Sequence, residues 1–152
     1  MAMFYHLTRS GPEATLLTLL PRALAAGWRV MIRGLDGAAL DRLDTRLWLD
    51  PDDGFLPHGL EGGAHDADQP VLLGQSAAVN GAQALALIDG ADVTLEEALG
   101  LERVWTLFDG SDPSAVADAR SLWTRLTNAG VSAQYWSEET GRWEKKAEKI
   151  IG

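Results

Sequence analysis

The chain has 152 residues, of which 46% are hydrophobic and none is cysteine. This length suffices for one domain with a sizeable core, and the composition excludes disulfides, thiolate catalysis and cysteine-ligated zinc. The formal net charge of −9 argues against general nucleic-acid binding, because contacts to the phosphate backbone depend on lysine and arginine. The sequence has neither a signal-peptide pattern nor an apolar run of about 18 residues. We therefore expect a cytoplasmic protein that does not span a membrane.

The charge is spread unevenly along the chain. Residues 36–70 contain nine acidic side chains and two arginines, whereas residues 103–152 contain seven acidic and seven basic side chains. The last third therefore has the charges to form a local basic pocket. A role in DNA metabolism would accordingly be reached through other proteins rather than through direct, strong binding to nucleic acid.

The first half of the chain alternates strand and helix patterns. Residues 4–7 predict a strand, and residues 12–26 predict a helix in which Pro12 suits the first turn. Pro21 does not suit a helix interior, so this helix is either kinked there or begins later. Gly27 is a natural end of the helix, and residues 28–32 predict the second strand. Residues 37–49 have helical spacing of apolar side chains, and the composition of residues 50–70 predicts a long irregular segment.

The second half continues the alternation. Strands are predicted at residues 71–74, 84–88, 104–108 and 131–136. Between the last two, Asp112 is a good N-cap and Pro113 a good first residue for a helix that ends at Ala129 and Gly130. Residues 142–151 predict a short terminal helix. The pattern indicates one three-layer α/β/α domain over residues 1–152, Rossmann-like with a mostly parallel sheet, of which residues 142–152 are a C-terminal extension.

No catalytic constellation is found in the sequence. A P-loop is absent, and the turn after the first strand has one glycine where a dinucleotide fingerprint needs three. The three histidines, including His6 and His65, lack the spacing of a metal site. Asp89 and Asp109 follow predicted strands and could hold a metal ion, but helix-initiating turns explain them more simply. We expect no cofactor and no metal.

Two motifs resemble the chi accessory subunit family of bacterial DNA polymerase III. They are Leu-Asp-Thr-Arg-Leu-Trp at residues 43–48 and Phe-Leu-Pro-His-Gly-Leu at residues 55–60. The strand at residues 4–7, the turn at residues 26–30 and Gly130 agree with the same family, so the resemblance covers most of the chain. It implies a Rossmann-like fold without a phosphate-binding loop and a non-catalytic subunit associated with the clamp loader.

The resemblance also implies two partners. One is the acidic C-terminal tail of single-stranded DNA-binding protein, which ends in Asp-Asp-Ile-Pro-Phe, and the other is the psi subunit where it exists. A terminal carboxylate is well bound by a guanidinium, and the final phenylalanine by an apolar slot. The residues that match the tail site are Arg120, Trp123, Phe108 and Arg125.

The chain departs from the family pattern beside this site. Val116 and Thr124 stand where the family can have basic residues, so we expect the affinity for the tail either to be lower or to depend more on Arg125 and the C-terminal lysines. The residues that match the psi-facing region are Trp48, Phe55, Pro57 and His58, and their alternative role is to anchor a loop on the core. Two other hypotheses stay open, namely a degenerate nucleotide-binding domain that uses Asp89 and Asp109, and the same fold with a different partner such as a helicase.

Overall fold

The computed structural model of the protein describes residues 1–49 and 56–151. It contains an eight-stranded sheet of order β3-β4-β2-β5-β6-β1-β7-β8, in which every pair is parallel except β7 with β8. The strands are β1 (Ala2–Leu7), β2 (Val30–Arg33), β3 (Gly59–Leu60), β4 (Val71–Gly74), β5 (Ala84–Leu87), β6 (Arg103–Asp109), β7 (Ala133–Ser137) and β8 (Glu144–Lys149).

Helices cover both faces of this sheet. Helices α1 (Pro12–Ala25) and α2 (Gly37–Leu49) pack on one face through side chains such as Leu20 and Leu47. Helices α3 (Leu95–Leu99) and α4 (Pro113–Asn128) pack on the other face, where Leu122 and Leu126 meet alternate side chains of the central strands. The side chains alternate between the two cores because successive residues of a strand point to opposite faces. The predicted three-layer α/β/α architecture with a mostly parallel sheet is confirmed.

Helix α4 begins and ends where the sequence predicts. The Asp112 carboxylate accepts the backbone N–H of Ser114 at 2.9 Å, and Pro113 occupies the first turn, where its missing N–H has no helical partner anyway. Gly130 follows the helix with a φ of 96°, a backbone conformation that residues other than glycine rarely adopt. These two local signals set the bounds of the helix whose two sides contribute to the surfaces described below.

Replacing the Asp112 cap is expected to weaken α4. Asp112→Ala should lower the free energy of unfolding by about 1 kcal/mol, because the N–H of Ser114 loses its partner. Asp112→Asn keeps a side-chain oxygen in place and should lower the free energy of unfolding by only a few tenths of the loss in Asp112→Ala. Urea denaturation of both variants measures the difference, and equal losses would show that the charge rather than the cap matters.

The prediction of a terminal helix is wrong. Residues 144–149 form β8, which pairs antiparallel with β7. The segment is fixed at both ends, because the Trp143 ring packs edge-on against Tyr5 at 5.5 Å and the Ile151 N–H donates to the Ser132 hydroxyl at 2.8 Å. The strand is stabilised because pairing with β7 satisfies its backbone groups and those of the edge of β7.

Three other segments differ from the sequence-based predictions. Residues 50–70 are not wholly irregular, since the described part includes β3 and a 3₁₀ turn at Asp66–Asp68. Helix α1 is continuous from Pro12 through Pro21 to Ala25, so of the two alternatives for this helix the later start is wrong. Helix α3 has no counterpart in the predictions, although Thr94 and Glu97 form a reciprocal capping box at its start.

A buried arginine ties α3 to the sheet. Arg33 ends β2, and its side chain is 10% exposed. Its guanidinium donates to both carboxylate oxygens of Glu97, at 2.6 and 3.2 Å, and to the carbonyls of Asp92 at 2.9 Å and Ser76 at 3.0 Å. This arrangement satisfies a charge that would otherwise be costly to bury.

Candidate functional site

The aromatic flank of α4 lies along β1 and β7. We use this name for Arg120, Trp123, Tyr135, Phe108 and His6. The Trp123 and Tyr135 rings lie 6.3 Å apart, and the Tyr135 and Phe108 rings 5.8 Å apart. Trp123 and Tyr135 are half-buried, Phe108 is only 7% exposed, and Arg120 is exposed. The fold therefore brings three of the four predicted tail-binding residues into one neighbourhood, with Phe108 as its floor.

Tyr135 and His6 belong to this surface but were missed from the sequence. His6 Nδ1 lies 2.8 Å from the Tyr135 hydroxyl in hydrogen-bond contact, and the His6 ring packs on Phe108 at 5.4 Å. Gly110 leaves the space for this ring, since a Cβ there would overlap it. No local sequence signal marks either residue, because they meet only through the pairing of β1 with β7.

The electrostatics of the flank centre on Tyr135. Burial raises the pKa of the Tyr135 phenol, the nearby Arg120 charge lowers it, and Glu139 raises it. Arg120 therefore lies near enough to act on the phenol, whose hydroxyl is in contact with His6 Nδ1 at 2.8 Å. A guanidinium at the edge of a half-buried aromatic surface can bind a carboxylate together with an apolar or aromatic side chain.

Arg125 is not part of the aromatic flank. It lies five positions after Arg120 in the helix, a rotation of about 140° that places it on the other side of α4. There its Nη2 atom binds the Asp92 carboxylate at 2.9 Å, and it lines a separate cavity. The structure thus separates the two arginines that the sequence assigned to one site.

The second predicted surface lies at the end of α2. The His58 side chain is fully buried, and its ring nitrogens contact the Leu56 carbonyl at 2.6 Å and the Asp44 carboxylate at 3.2 Å. Trp48 packs against the His58 ring with centroids 4.5 Å apart and is itself 53% exposed. Pro57 is half-buried beside them, whereas Phe55 lies outside the described residues. The buried His58 therefore holds the Trp48 ring in place, and Trp48 is the exposed residue of this surface.

The loop after β1 holds a carboxylate of the protein itself. The backbone N–H groups of Thr8, Arg9 and Ser10 all donate to Glu138 Oε1, at 3.0, 2.7 and 2.6 Å, and the Ser10 hydroxyl donates to Oε2 at 2.8 Å. In nucleotide-binding α/β folds, N–H groups in this position bind phosphate. Because Glu138 already uses them, this arrangement weakens the hypothesis of a nucleotide-binding domain.

The two strand-end aspartates behave as turn residues. Asp109 accepts the backbone N–H and the hydroxyl of Ser111, at 2.9 and 2.6 Å, and these hydrogen bonds lower the pKa of its carboxyl. Asp89 has a φ of 56° at the turn after β5. Within residues 1–49 and 56–151, no group of three or more His, Asp or Glu side chains is arranged to hold a metal ion. None of the helices in that part of the chain is long and apolar enough to cross a bilayer.

Comparison with known families gives one match. The model of the family described as DNA polymerase III chi subunit, HolC, matches residues 1–134. This range runs from β1 into the first residues of β7 and includes all of the predicted site residues, whereas Tyr135, Glu138 and β8 lie beyond it. A search of curated proteins finds no match.

Proposed function

Since the chain belongs to the DNA polymerase III chi subunit family, we propose that it is a non-catalytic, cytoplasmic accessory subunit of the bacterial replicase that binds the acidic tail of single-stranded DNA-binding protein. The family itself supports an accessory role in DNA replication. The proposal adds the clamp loader as the associated complex and the aromatic flank of α4 as the site for the tail.

One observation carries the choice of site. The exposed guanidinium of Arg120 lies beside the half-buried rings of Trp123 and Tyr135. A peptide ending in Ile-Pro-Phe presents a carboxylate and a phenyl ring on the same residue, so one contact of each kind can form at once. The rest of the tail is acidic and adds long-range attraction to Arg120, which salt screens.

The affinity is expected to be modest. Val116 is half-buried and packs on the core, and Thr124 is exposed, its hydroxyl donating to the Arg120 carbonyl at 3.1 Å. Neither offers a positive charge where related sites can have one. Arg120 then supplies the main cation of the flank, and binding should depend strongly on this single side chain.

The first test is a fluorescence anisotropy titration with a labelled peptide ending in Asp-Asp-Ile-Pro-Phe, at low and at moderate salt. We expect saturable binding that weakens with salt, and at least about tenfold weaker binding to Arg120→Ala, the loss expected when one member of a charge pair is truncated. A peptide without the final phenylalanine should lose a similar amount, because the ring no longer fills the aromatic surface.

Arg125→Ala is the matched control, since it removes the same side chain from the other side of the same helix. We expect it to change tail affinity less than about threefold, an effect of long-range charge alone. Equal losses in the two variants would show that net charge rather than the aromatic flank governs binding. No binding to a well-folded protein at low salt would overturn the assignment of the tail.

We propose a separate contact for psi or another part of the clamp loader at the end of α2. The supporting observation is that the consecutive residues Trp48 and Leu49 are 53% and 67% exposed, and that the Trp48 ring packs on the buried His58. Exposed aromatic side chains on a rigid support are frequent energetic centres of protein interfaces. The residues proposed for this contact are Trp48, Phe55, Pro57 and His58, in which His58 acts by holding Trp48. Trp48→Ala is expected to leave tail binding unchanged in the same titration.

A further inference from the structure

The other flank of α4 forms one wall of an acidic cavity. The cavity has a volume of about 500 Å³ and lies between α4 and the turn that follows β5. Five aspartates and one arginine line it, and these are Asp89, Asp92, Asp109, Asp112, Asp118 and Arg125. The electrostatic character of this flank is therefore opposite to that of the flank that bears Arg120.

Three of the five carboxylates have partners within the protein, and two have none among the described residues. Asp92 binds Arg125, Asp109 accepts from Ser111, and Asp112 caps α4. In the described part of the chain, the side chains of Asp89 and Asp118 take part in no hydrogen bond or ion pair. Burial, with the nearby charge of Asp36, raises the pKa of the Asp89 carboxyl, and the charge of Arg42 offsets part of this effect.

A buried hydroxyl lies at the floor of the same cavity. Thr106 lines it and is 8% exposed, and its Oγ1 atom has no hydrogen-bond partner among the described residues. Strand pairing places Thr106 next to Leu87 of β5, with its side chain on the α4 face of the sheet. Apolar side chains, which include Leu87, Ala119 and Leu122, also line the cavity. A buried hydroxyl without a partner is unusual, because it gives up its hydrogen bonds to water.

We propose that this cavity binds an arginine side chain from a basic segment of a partner protein. The aliphatic stem of arginine would pack on the apolar floor, and its guanidinium would meet the carboxylates of Asp89 and Asp118. Guanidinium has five N–H donors, so it can also donate to Thr106 Oγ1. The excess of carboxylates makes the cavity repel an acidic segment such as the tail.

The two flanks of α4 can then be occupied together. Arg120 and Arg125 point to opposite sides of the helix, and the residues of the aromatic flank other than Phe108 do not line the acidic cavity. Phe108 is shared only as a buried floor residue. A basic partner at the cavity should therefore leave the binding of an acidic peptide at the aromatic flank unchanged.

The test uses a fluorescein-labelled peptide, Gly-Leu-Arg-Leu-Arg-Gly, titrated into the full chain. A second peptide carries citrulline in place of arginine, which keeps the shape and removes the charge. We expect the citrulline peptide to bind at least about tenfold more weakly, and Asp118→Asn to weaken the arginine peptide about fivefold or more. Asp68→Asn, which removes the same charge from an exposed site elsewhere, should change it less than about twofold.

Thr106→Val tests the floor of the cavity. It keeps the side-chain shape and removes the hydroxyl, so it should weaken the arginine peptide about threefold while the thermal midpoint stays equal or rises. Equal effects of Asp118→Asn and Asp68→Asn, or equal binding of the citrulline peptide, would overturn the proposal. Displacement of the peptide by spermidine at the same concentration would show a free polyamine site instead of a docking site. Because the acidic tail peptide is absent from this experiment, its outcome is independent of the proposed function.

Discussion

Glu138→Ala should lower the free energy of unfolding by about 2–4 kcal/mol, because three backbone N–H groups and one hydroxyl lose the charged acceptor that they share. Glu138 is 5% exposed and joins the chain after β7 to the start of α1. Urea denaturation followed by far-ultraviolet circular dichroism measures the loss. Glu139→Ala is the neighbouring control and should cost less than about 1 kcal/mol, since the Glu139 side chain is 56% exposed. Equal losses would mean that the loop does not depend on the Glu138 carboxylate.

The same carboxylate predicts a pH dependence. Burial alone would raise the pKa of Glu138, but the hydrogen bonds from Ser10, Arg9 and Thr8 lower it overall. A group whose pKa is lower in the folded protein stabilises it fully above the unfolded value, and this stabilisation is lost as the pH falls through the folded value. Denaturation of the wild type should therefore become easier below the ordinary glutamate range. The difference between wild type and Glu138→Ala should shrink over the same interval.

The second large effect is expected at Arg33. Arg33→Met keeps the long stem but removes the guanidinium, leaving Glu97 and the carbonyls of Ser76 and Asp92 without their partner. We expect a loss of about 3–5 kcal/mol, as when one member of a buried ion pair is removed. Arg22→Met on the exposed side of α1 is the control and should cost about 0.5 kcal/mol or less.

Acid titration distinguishes the ion pair from simple packing at Arg33. The hydrogen bonds from Arg33 lower the pKa of Glu97 to about 2. The stabilisation from this pair is thus complete above the unfolded glutamate value of about 4.3 and declines as the pH falls toward 2. The wild type should lose more stability across this interval than Arg33→Met does. Parallel curves would show that the contribution of Arg33 comes from the packing of its stem.

Strong local signals made most of the fold predictable from the sequence. The Asp112 cap and Gly130 mark the beginning and the end of α4. Apolar runs mark the central strands β4, β5 and β6, because these strands are buried on both faces. The family was recognisable from the motif at residues 43–60, and the family match over residues 1–134 agrees with it. Arg120 and Trp123 could be paired because one turn of helix places them together.

Features that depend on pairing between distant segments were not predictable. Residues 144–149 have the composition of an exposed helix, and only the open edge of β7 makes them a strand. Tyr135 and His6 meet because β1 and β7 are neighbours in the sheet, although 129 positions separate them in the chain. Glu138 gave no local signal, since its partners are at residues 8–10. Helix α3 is the exception, because its capping box at Thr94 and Glu97 could have been found from the sequence.

The two edges of the sheet limit how this protein can bind other proteins. At one edge β3 has only two residues, and at the other β8 is almost entirely charged, with the sequence Glu-Lys-Lys-Ala-Glu-Lys. Short strands and strands rich in lysine are poor templates for the addition of another chain. Peptides are thus expected to be recognised by side chains on the helical layers, which read charge and shape, rather than by main-chain pairing, which reads little sequence. For the acidic and basic partners proposed above, sheet edges of this kind leave recognition by side chains as the more selective way of binding.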